Sequence, residues 1–282
     1  FTRAMAERLS QEFCDQCDLV LAPSTKIEKA LKEWGVTAPL QLLPTGVNSE
    51  RFASHDPATV RAFLERFAIP EGDRLLTFVG RIGLEKNIDV LVEALAHVET
   101  PGARLLIVGN GPYRGDLERH IAALGLTDRV TFTGYLQSDD VVTAYAASDL
   151  FFFASLSETQ GLVIAEAMAS GLPIVAVQDL AIADAVADGV NGLLTPEDPV
   201  TLAGAVDTVL ADDELRARMG AASRARADDL SIDKMAARLA DLYTGLCERR
   251  HPDRRSRVIR NRVRRQIVHL RRRSRDVVRR YL

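Results

Sequence analysis

The sequence predicts an α/β fold built on a doubly wound parallel sheet, and two observations carry that prediction. From residue 74 onward, RLLTFVG (74–80), RLLIVG (104–109), RVTFTGY (129–135), DLFFFAS (149–155) and LPIVAV (172–177) are continuous apolar runs of strand length. Strands that are apolar without alternation are covered on both faces of their sheet. Between them lie stretches of helical period, NIDVLVEALAHV (87–98), GDLERHIAALG (115–125) and SDDVVTAYAASD (138–149). Alternating strands and helices with short loops imply parallel strands joined by right-handed crossovers.

The elements follow in order. Residues 1–17 carry a helical pattern, and CDLVLAPS (17–24) reads as a short strand ended by Pro23. STKIEKALKEWG (24–35) has a serine at the cap position, a periodic apolar face and a closing Gly35, the marks of a second helix. Pro39 and Pro44 bracket a short extended run, a linker between two halves. After the regular alternation, NGLLT (191–195) adds a further short strand, and helices from about Pro199 to Leu246 close the domain. The expected division is 1–50 as the end of one domain with its linker, 51–248 as the sheet domain, and 249–282 as a tail. Because the chain opens on Phe1 in mid-pattern, an upstream portion is expected.

With 282 residues and 47% hydrophobic content, the chain can bury a substantial core. Its longest apolar runs, such as LFFFA (150–154) and LPIVAV, are far too short to cross a bilayer, and no secretory leader pattern opens the chain; a cytoplasmic setting is expected. Cys14, Cys17 and Cys247 include one C-x-x-C but no second pair and no paired histidines, so they read as ordinary buried or half-buried thiols of a reducing compartment, with no metal site. The net charge of −3 hides an asymmetry: residues 249–282 hold 15 Arg against Asp253 and Asp276, a balance of +13 that leaves −16 for residues 1–248.

In a doubly wound sheet the ligand binds beyond the carboxyl ends of the strands. GRIGLEKN (80–87) places Gly80 at a strand exit and Arg81 and Lys86 ahead of a helix. Glycine lets a ligand approach the backbone, and a guanidinium fork with an ammonium point charge neutralises a diphosphate beside a helix N-terminus. The ordinary alternative is two solvated cations. GNGPYRG (109–115) departs from G-x-G-x-x-G and holds Pro112, and no acid ends the RVTFTGY strand, which argues against a nicotinamide cofactor. Tyr135 is either a platform over a nucleobase, with the main chain at Leu136 reading its edge, or a partly buried aromatic at a strand end.

SETQGLVIAEAMASG (157–171) follows the fourth strand. Gly161 permits a tight entry into a helix whose first amides, at Gly161 and Leu162, favour an anionic phosphate. Glu166, one turn after Leu162, is placed to accept the two hydroxyls of a ribose-like diol. Glu158 alternatively serves only the helix dipole, and Glu166 only as a surface charge. The apolar neighbours Ile164, Ala165, Ala167 and Met168 indicate a buried helix, in which Glu166 needs a partner.

VGRIGLEKNID, LLIVGNGP, VTFTGYL and SETQGLVIAEAMASGLPIVA together resemble the C-terminal half of retaining glycosyltransferases of family 4, with the E-x7-E spacing met by Glu158 and Glu166. APS (22–24) and PTGVNSERF (44–52) are similar to the family's interdomain segment. The resemblance implies a GT-B fold of two facing Rossmann-like domains, represented here by the donor-binding domain, a remnant of the N-terminal domain and a basic C-terminal helix. It implies that Arg81 and Lys86 meet the diphosphate of a sugar nucleotide and Glu158 the donor sugar, these three being the expected catalytic residues. Gly80, Gly161 and Leu162 would border the phosphates, Glu166 the ribose, and Tyr135 and Leu136 the base. It further implies that the departing diphosphate helps deprotonate the acceptor, with no metal and no cofactor, so the two glutamates are not a glycosidase's acid and nucleophile. The family's acceptor pocket and sugar-contacting histidine belong to its N-terminal domain, and His55, His97 and His120 match neither.

The tail spaces Ile259, Val263, Ile267, Leu270, Val277 and Tyr281 by three, four or seven residues among arginines, an amphipathic cationic helix suited to an anionic membrane surface. Nucleic-acid binding, the less favoured partner, and a solvated basic tail are the other readings. SETQGL and EKNID are most similar to glucosyltransferases acting on diacylglycerol, which are peripheral membrane enzymes. The expectation is hexosyl transfer from a nucleotide sugar, UDP-glucose first, to a lipid acceptor such as diacylglycerol at the inner face of the cell membrane. The alternatives are a GDP- or UDP-sugar transferase with another lipid or glycan acceptor, and an inactive nucleotide-sugar-binding fragment.

Overall fold

The computed structural model describes residues 2–53 and 55–250, so the expected tail helix lies outside the described residues from 251 onward. Contacts group the chain into two units: residues up to Pro23, Glu28–Gly46 and Ser231 onward form the smaller, and Ser24–Ile27 with Val47–Leu230 the larger.

The smaller unit contains α1 (Arg3–Cys14), β1 (Val20–Ala22), most of α2 (Thr25–Glu33) and β2 (Leu40–Leu42), with β1 and β2 paired in parallel. The serine expected to start α2 does so, its Oγ accepting from the Ile27 amide at 3.3 Å, and Gly35 follows the helix at φ +84°. Cys14 and Cys247 are half-buried, but Cys17 is exposed, contrary to expectation. It lies in the turn that leaves α1, where its thiol donates to the Phe13 carbonyl at 3.7 Å.

The larger unit begins with α3 (Ser49–Phe52) and α4 (Pro57–Arg66), then alternates: β3 (Arg74–Val79), α5 (Ile88–His97), β4 (Ala103–Val108), α6 (Arg114–Ala123), β5 (Val130–Gly134), α7 (Ser138–Ala146), β6 (Leu150–Phe153), α8 (Leu162–Ala169), β7 (Ile174–Val177), α9 (Leu180–Ala183) and β8 (Gly192–Thr195). The strands form one parallel sheet in the order β5-β4-β3-β6-β7-β8. The chain winds outward from β3 to β5, returns beside β3 as β6, and winds outward the other way. The switch point, where such sheets bind ligands, therefore lies between β3 and β6. Leu75–Val79 and all of β6 and β7 are buried, as continuous apolar strands require.

The helices present their apolar stripes to this sheet. Ile88, Leu91, Val92 and Leu95 of α5 recur at helical spacing and are fully buried. Of the helices expected to close the domain, α10 (Pro199–Ala211) packs on α5 and β7, and α11 (Asp213–Asp229) on α8. α12 (Ile232–Arg250) counts with the smaller unit.

At the carboxyl edge the first three strand exits are laced together. The Gly80 amide donates to the Val108 carbonyl at 2.9 Å, Ile82 to Asn110 at 3.0 Å, and Gly109 to Gly134 at 3.0 Å. Gly109 has φ +136°, and a Cβ there would lie 2.0 Å from the Gly80 carbonyl oxygen. The glycine of GNGP thus serves the approach of one main chain to another.

Candidate functional site

Lys86 ends the short helical turn Leu84–Lys86 after β3, and Glu158 lies in the loop after β6, so neighbouring strands deliver both to the switch point. Lys86 Nζ meets Glu158 Oε1 at 2.6 Å, with only 20% and 16% of the two side chains exposed. The turn is fixed from the β6 loop: the Glu85 carbonyl accepts from Ser157 Oγ at 3.2 Å and from the fully buried Ser155 at 3.5 Å. Asn87 Nδ2 donates to Glu197 Oε1 at 2.7 Å. Arg81 points to solvent and pairs with Glu85 at 2.5 Å rather than sharing Glu158. The Glu85 carboxyl is held below its ordinary pKa by its own backbone N–H first, with Arg81 and Lys86 adding to the effect against some desolvation.

α8 starts at Gly161 in the left-handed region, φ +72° and ψ +57°, and the first amides of such a helix have no partner one turn back. Leu162, the first helical residue, is exposed. Ile164, Ala165, Ala167 and Met168 are buried, and Glu166 with them is largely covered, so Glu166 is not a free surface charge. Its Oε2 accepts from Tyr145 Oη at 3.0 Å. The same hydroxyl lies 3.2 Å from the Val163 carbonyl. Tyr145 is fully buried in α7, edge-on to Phe52 at 5.9 Å. Burial raises the Glu166 carboxyl above the usual glutamate range, while the hydrogen bond from Tyr145 and the charge of Arg51 pull it back. Burial, then the nearby Glu166 charge, pushes the Tyr145 phenol well above its ordinary value, so it remains a donor at neutral pH. Arg51 itself pairs with Asp139 at 2.6 Å.

Tyr145 and Arg51 were not singled out from the sequence. Tyr145 had a signal: a tyrosine on an apolar helix face needs a partner for its hydroxyl. Arg51 had none, because its neighbours come from segments far along the chain.

Gly80 lies at the exit of β3 inside the laced loops. Tyr135 follows β5, the outermost strand on that side, and is 81% exposed, so it is not the partly buried aromatic that was one reading of it; Leu136 is buried. The structure thus joins Lys86 to Glu158 and gives Glu166 a separate partner, each carboxylate being held on its own. Chemically, the edge offers a cation, two carboxylates able to accept hydroxyls and a helix N-terminus, a set suited to a polyhydroxylated anion. Among the described residues no group of three or more His, Cys, Asp or Glu is placed to hold a metal ion.

Comparison with known proteins bears on the family and the fold. Residues 60–226, more than half of the chain, match the family described as glycosyl transferases group 1. The chain is 38% identical over 216 residues to the sulfoquinovosyl transferase of Arabidopsis thaliana, covering 73% of this chain and 40% of the relative. It is 32% identical over 177 residues to the alpha-monoglucosyldiacylglycerol synthase of Streptococcus pneumoniae, covering 61% of this chain and 40% of the relative. It therefore spans less than half the length of either. The crystal structure of Anabaena HepE in complex with UDP-glucose superposes with a TM-score of 0.80 at 24% identity, over 86% of this chain and 68% of that one, a likeness of fold. The six-stranded parallel sheet with flanking helices is the Rossmann-like architecture expected of the C-terminal half of a GT-B protein. The chain belongs to the glycosyl transferases group 1 family.

Proposed function

We propose that this protein moves a hexosyl group from a nucleotide sugar, UDP-glucose, to a lipid acceptor such as diacylglycerol, with retained anomeric configuration and without a metal ion or cofactor. The observation that carries the reading is the Lys86–Glu158 pair at the switch point of a group 1 glycosyltransferase sheet. A diphosphate entering there draws Lys86 and Arg81 onto its oxygens and frees Glu158 to accept hydroxyls of the sugar. The amides of Gly161 and Leu162 meet the phosphate, Gly80 admits it, and Glu166 accepts the ribose hydroxyls. Tyr135 covers the base and the main chain at Leu136 reads its edge.

Arg81 and Lys86 stabilise the charge that grows on the leaving diphosphate as the glycosidic bond breaks, and Glu158 holds the sugar in place for the acceptor. A leaving-group oxygen takes the acceptor's hydroxyl proton on the face that the acceptor attacks. The lipid acceptor is supported by the relative that is an alpha-monoglucosyldiacylglycerol synthase. Attachment to an anionic membrane through residues 249–282 fits their charge of +13. No described helix is long and apolar enough to cross a membrane.

The test is a transfer assay with diacylglycerol vesicles and a panel of UDP- and GDP-sugars, with and without EDTA. The expected result is an α-linked glucolipid from UDP-glucose, unaffected by EDTA; transfer from GDP-sugars alone, or loss with EDTA, contradicts the donor or the metal-free mechanism. Deletion of residues 249–282 is expected to abolish flotation with anionic vesicles.

A further inference from the structure

In the sequence Ser24 closes a short strand stretch, belongs to the interdomain resemblance and caps a helix whose first turn holds Thr25 and Lys26, and all three lie outside the residues that match the family. In the structure they group with the larger unit. Ser24, almost fully buried, donates from Oγ to the Thr159 carbonyl. Lys26 Nζ donates to the Leu156 carbonyl at 2.5 Å and to Asp179 Oδ2 at 2.7 Å, the Lys26 and Asp179 side chains being 27% and 13% exposed. Thr25 donates from its amide and its hydroxyl to the two oxygens of Asp184, at 2.6 Å and 2.7 Å.

The acceptors explain why this arrangement matters. Leu156 and Thr159 stand on either side of Glu158 in a loop without regular structure, SLSETQ. The two acidic partners bracket α9: Asp179 caps its start by accepting from the Ala181 amide at 2.9 Å, and Asp184 follows its end. The segment therefore takes hold of a helix after β7 and, from there, grips the main chain on both shoulders of Glu158. A hydrogen bond from an ammonium to a carbonyl is charge-assisted, and although Leu156 is itself exposed, the part-buried Asp179 contact at the same nitrogen holds the Lys26 head in place. The Lys86 contact fixes only the tip of the Glu158 side chain, whereas the Ser24 and Lys26 contacts fix the backbone from which it projects.

We propose that Lys26, assisted by Ser24, is a positioning residue for the sugar end of the donor site, setting the backbone that aims Glu158 at the hydroxyls of the hexose. The proposal rests on the reading of Glu158 given above. It separates the two ends of the donor: without the Lys26 contact, recognition of the sugar fails while the nucleotide end, served by Glu166 and Lys86, persists.

Two measurements on Lys26→Ala, Lys26→Arg and Ser24→Ala test it. The first needs no ligand: cleavage by a Glu-specific protease after Glu158 is compared with cleavage after Glu214, whose side chain is 92% exposed and serves as an internal control for general unfolding. Loss of one charge-assisted hydrogen bond corresponds to a change of about tenfold. Lys26→Ala is thus expected to be cut about tenfold faster at Glu158 with the Glu214 rate unchanged, Ser24→Ala to change in the same direction, and Lys26→Arg to stay near wild type. The second is calorimetry: Lys26→Ala is expected to lose about tenfold in affinity for UDP-glucose while UDP stays within about twofold. Unchanged cleavage at Glu158, or equal losses for UDP and UDP-glucose, overturns the proposal. A wild-type chain that binds neither ligand, while Lys26→Ala still opens the loop, overturns the sugar reading of Glu158 and leaves the clamp standing.

Discussion

Lys86 and Glu158 hold each other in a place where neither charge is well hydrated. Removing one partner of such a pair strands the other, and the residual exposure of both moderates the cost to about 2–3 kcal/mol. Lys86→Met is expected to lower unfolding stability by that amount in urea titrations, and adding Glu158→Gln to recover most of it; an undiminished loss in the double variant would show that the pair is not what is being broken. Glu166 behaves in the opposite sense to an ordinary paired carboxylate. Burial raises its folded pKa, so the folded chain keeps the proton to higher pH than the unfolded chain does. Stability therefore declines as pH rises from the ordinary glutamate range to the raised one, and Glu166→Gln flattens that decline in thermal melts across pH. In the functional reading, nucleotide affinity grows over the same window as Glu166 ionises. Tyr145→Phe deletes the hydrogen bond that the phenol donates to that carboxylate. It should move the affinity midpoint to higher pH and cost about 1–3 kcal/mol of stability; an unmoved midpoint would dissociate Tyr145 from the site.

At the scale of elements, what was legible in the sequence follows from burial. β3, β4, β6 and β7 are largely covered on both faces and so are written as mainly apolar runs, broken only by Arg74 and Thr77 in β3 and Arg104 in β4. α8 announced its burial through the small apolar residues around Glu166. α4 went unread although its start is well marked, with Pro57 in the first turn and the Asp56 carboxylate accepting from the Ala58 amide at 3.1 Å. α9 is a single turn, too short for any period to show. The supports of the site were less visible still. Arg51, Ser24 and Lys26 reach their partners across gaps of 88 to 153 residues, and no local pattern encodes such contacts. The lacing of the strand exits predicts that Gly109→Ala, which combines a φ of +136° with a clash against the Gly80 carbonyl, costs about 2–4 kcal/mol in urea titrations. Gly125→Ala, at a positive φ but with open space around it, is the control for backbone strain alone.

At the scale of the molecule, one sheet brings the exits of β3 and β6 together and stands the N-terminus of α8 beside them. That placement turns an eight-residue spacing between two glutamates into two separately supported carboxylates, one tied to Lys86 and one to Tyr145. In the function proposed above, the first meets the sugar and the second the ribose of one bound donor. Isothermal titration of the chain with UDP tests whether it binds the donor in this way. The wild-type chain is expected to bind, and binding to weaken at least about tenfold in both Lys86→Ala and Glu166→Ala. No binding, or binding unchanged in these two variants, would contradict it.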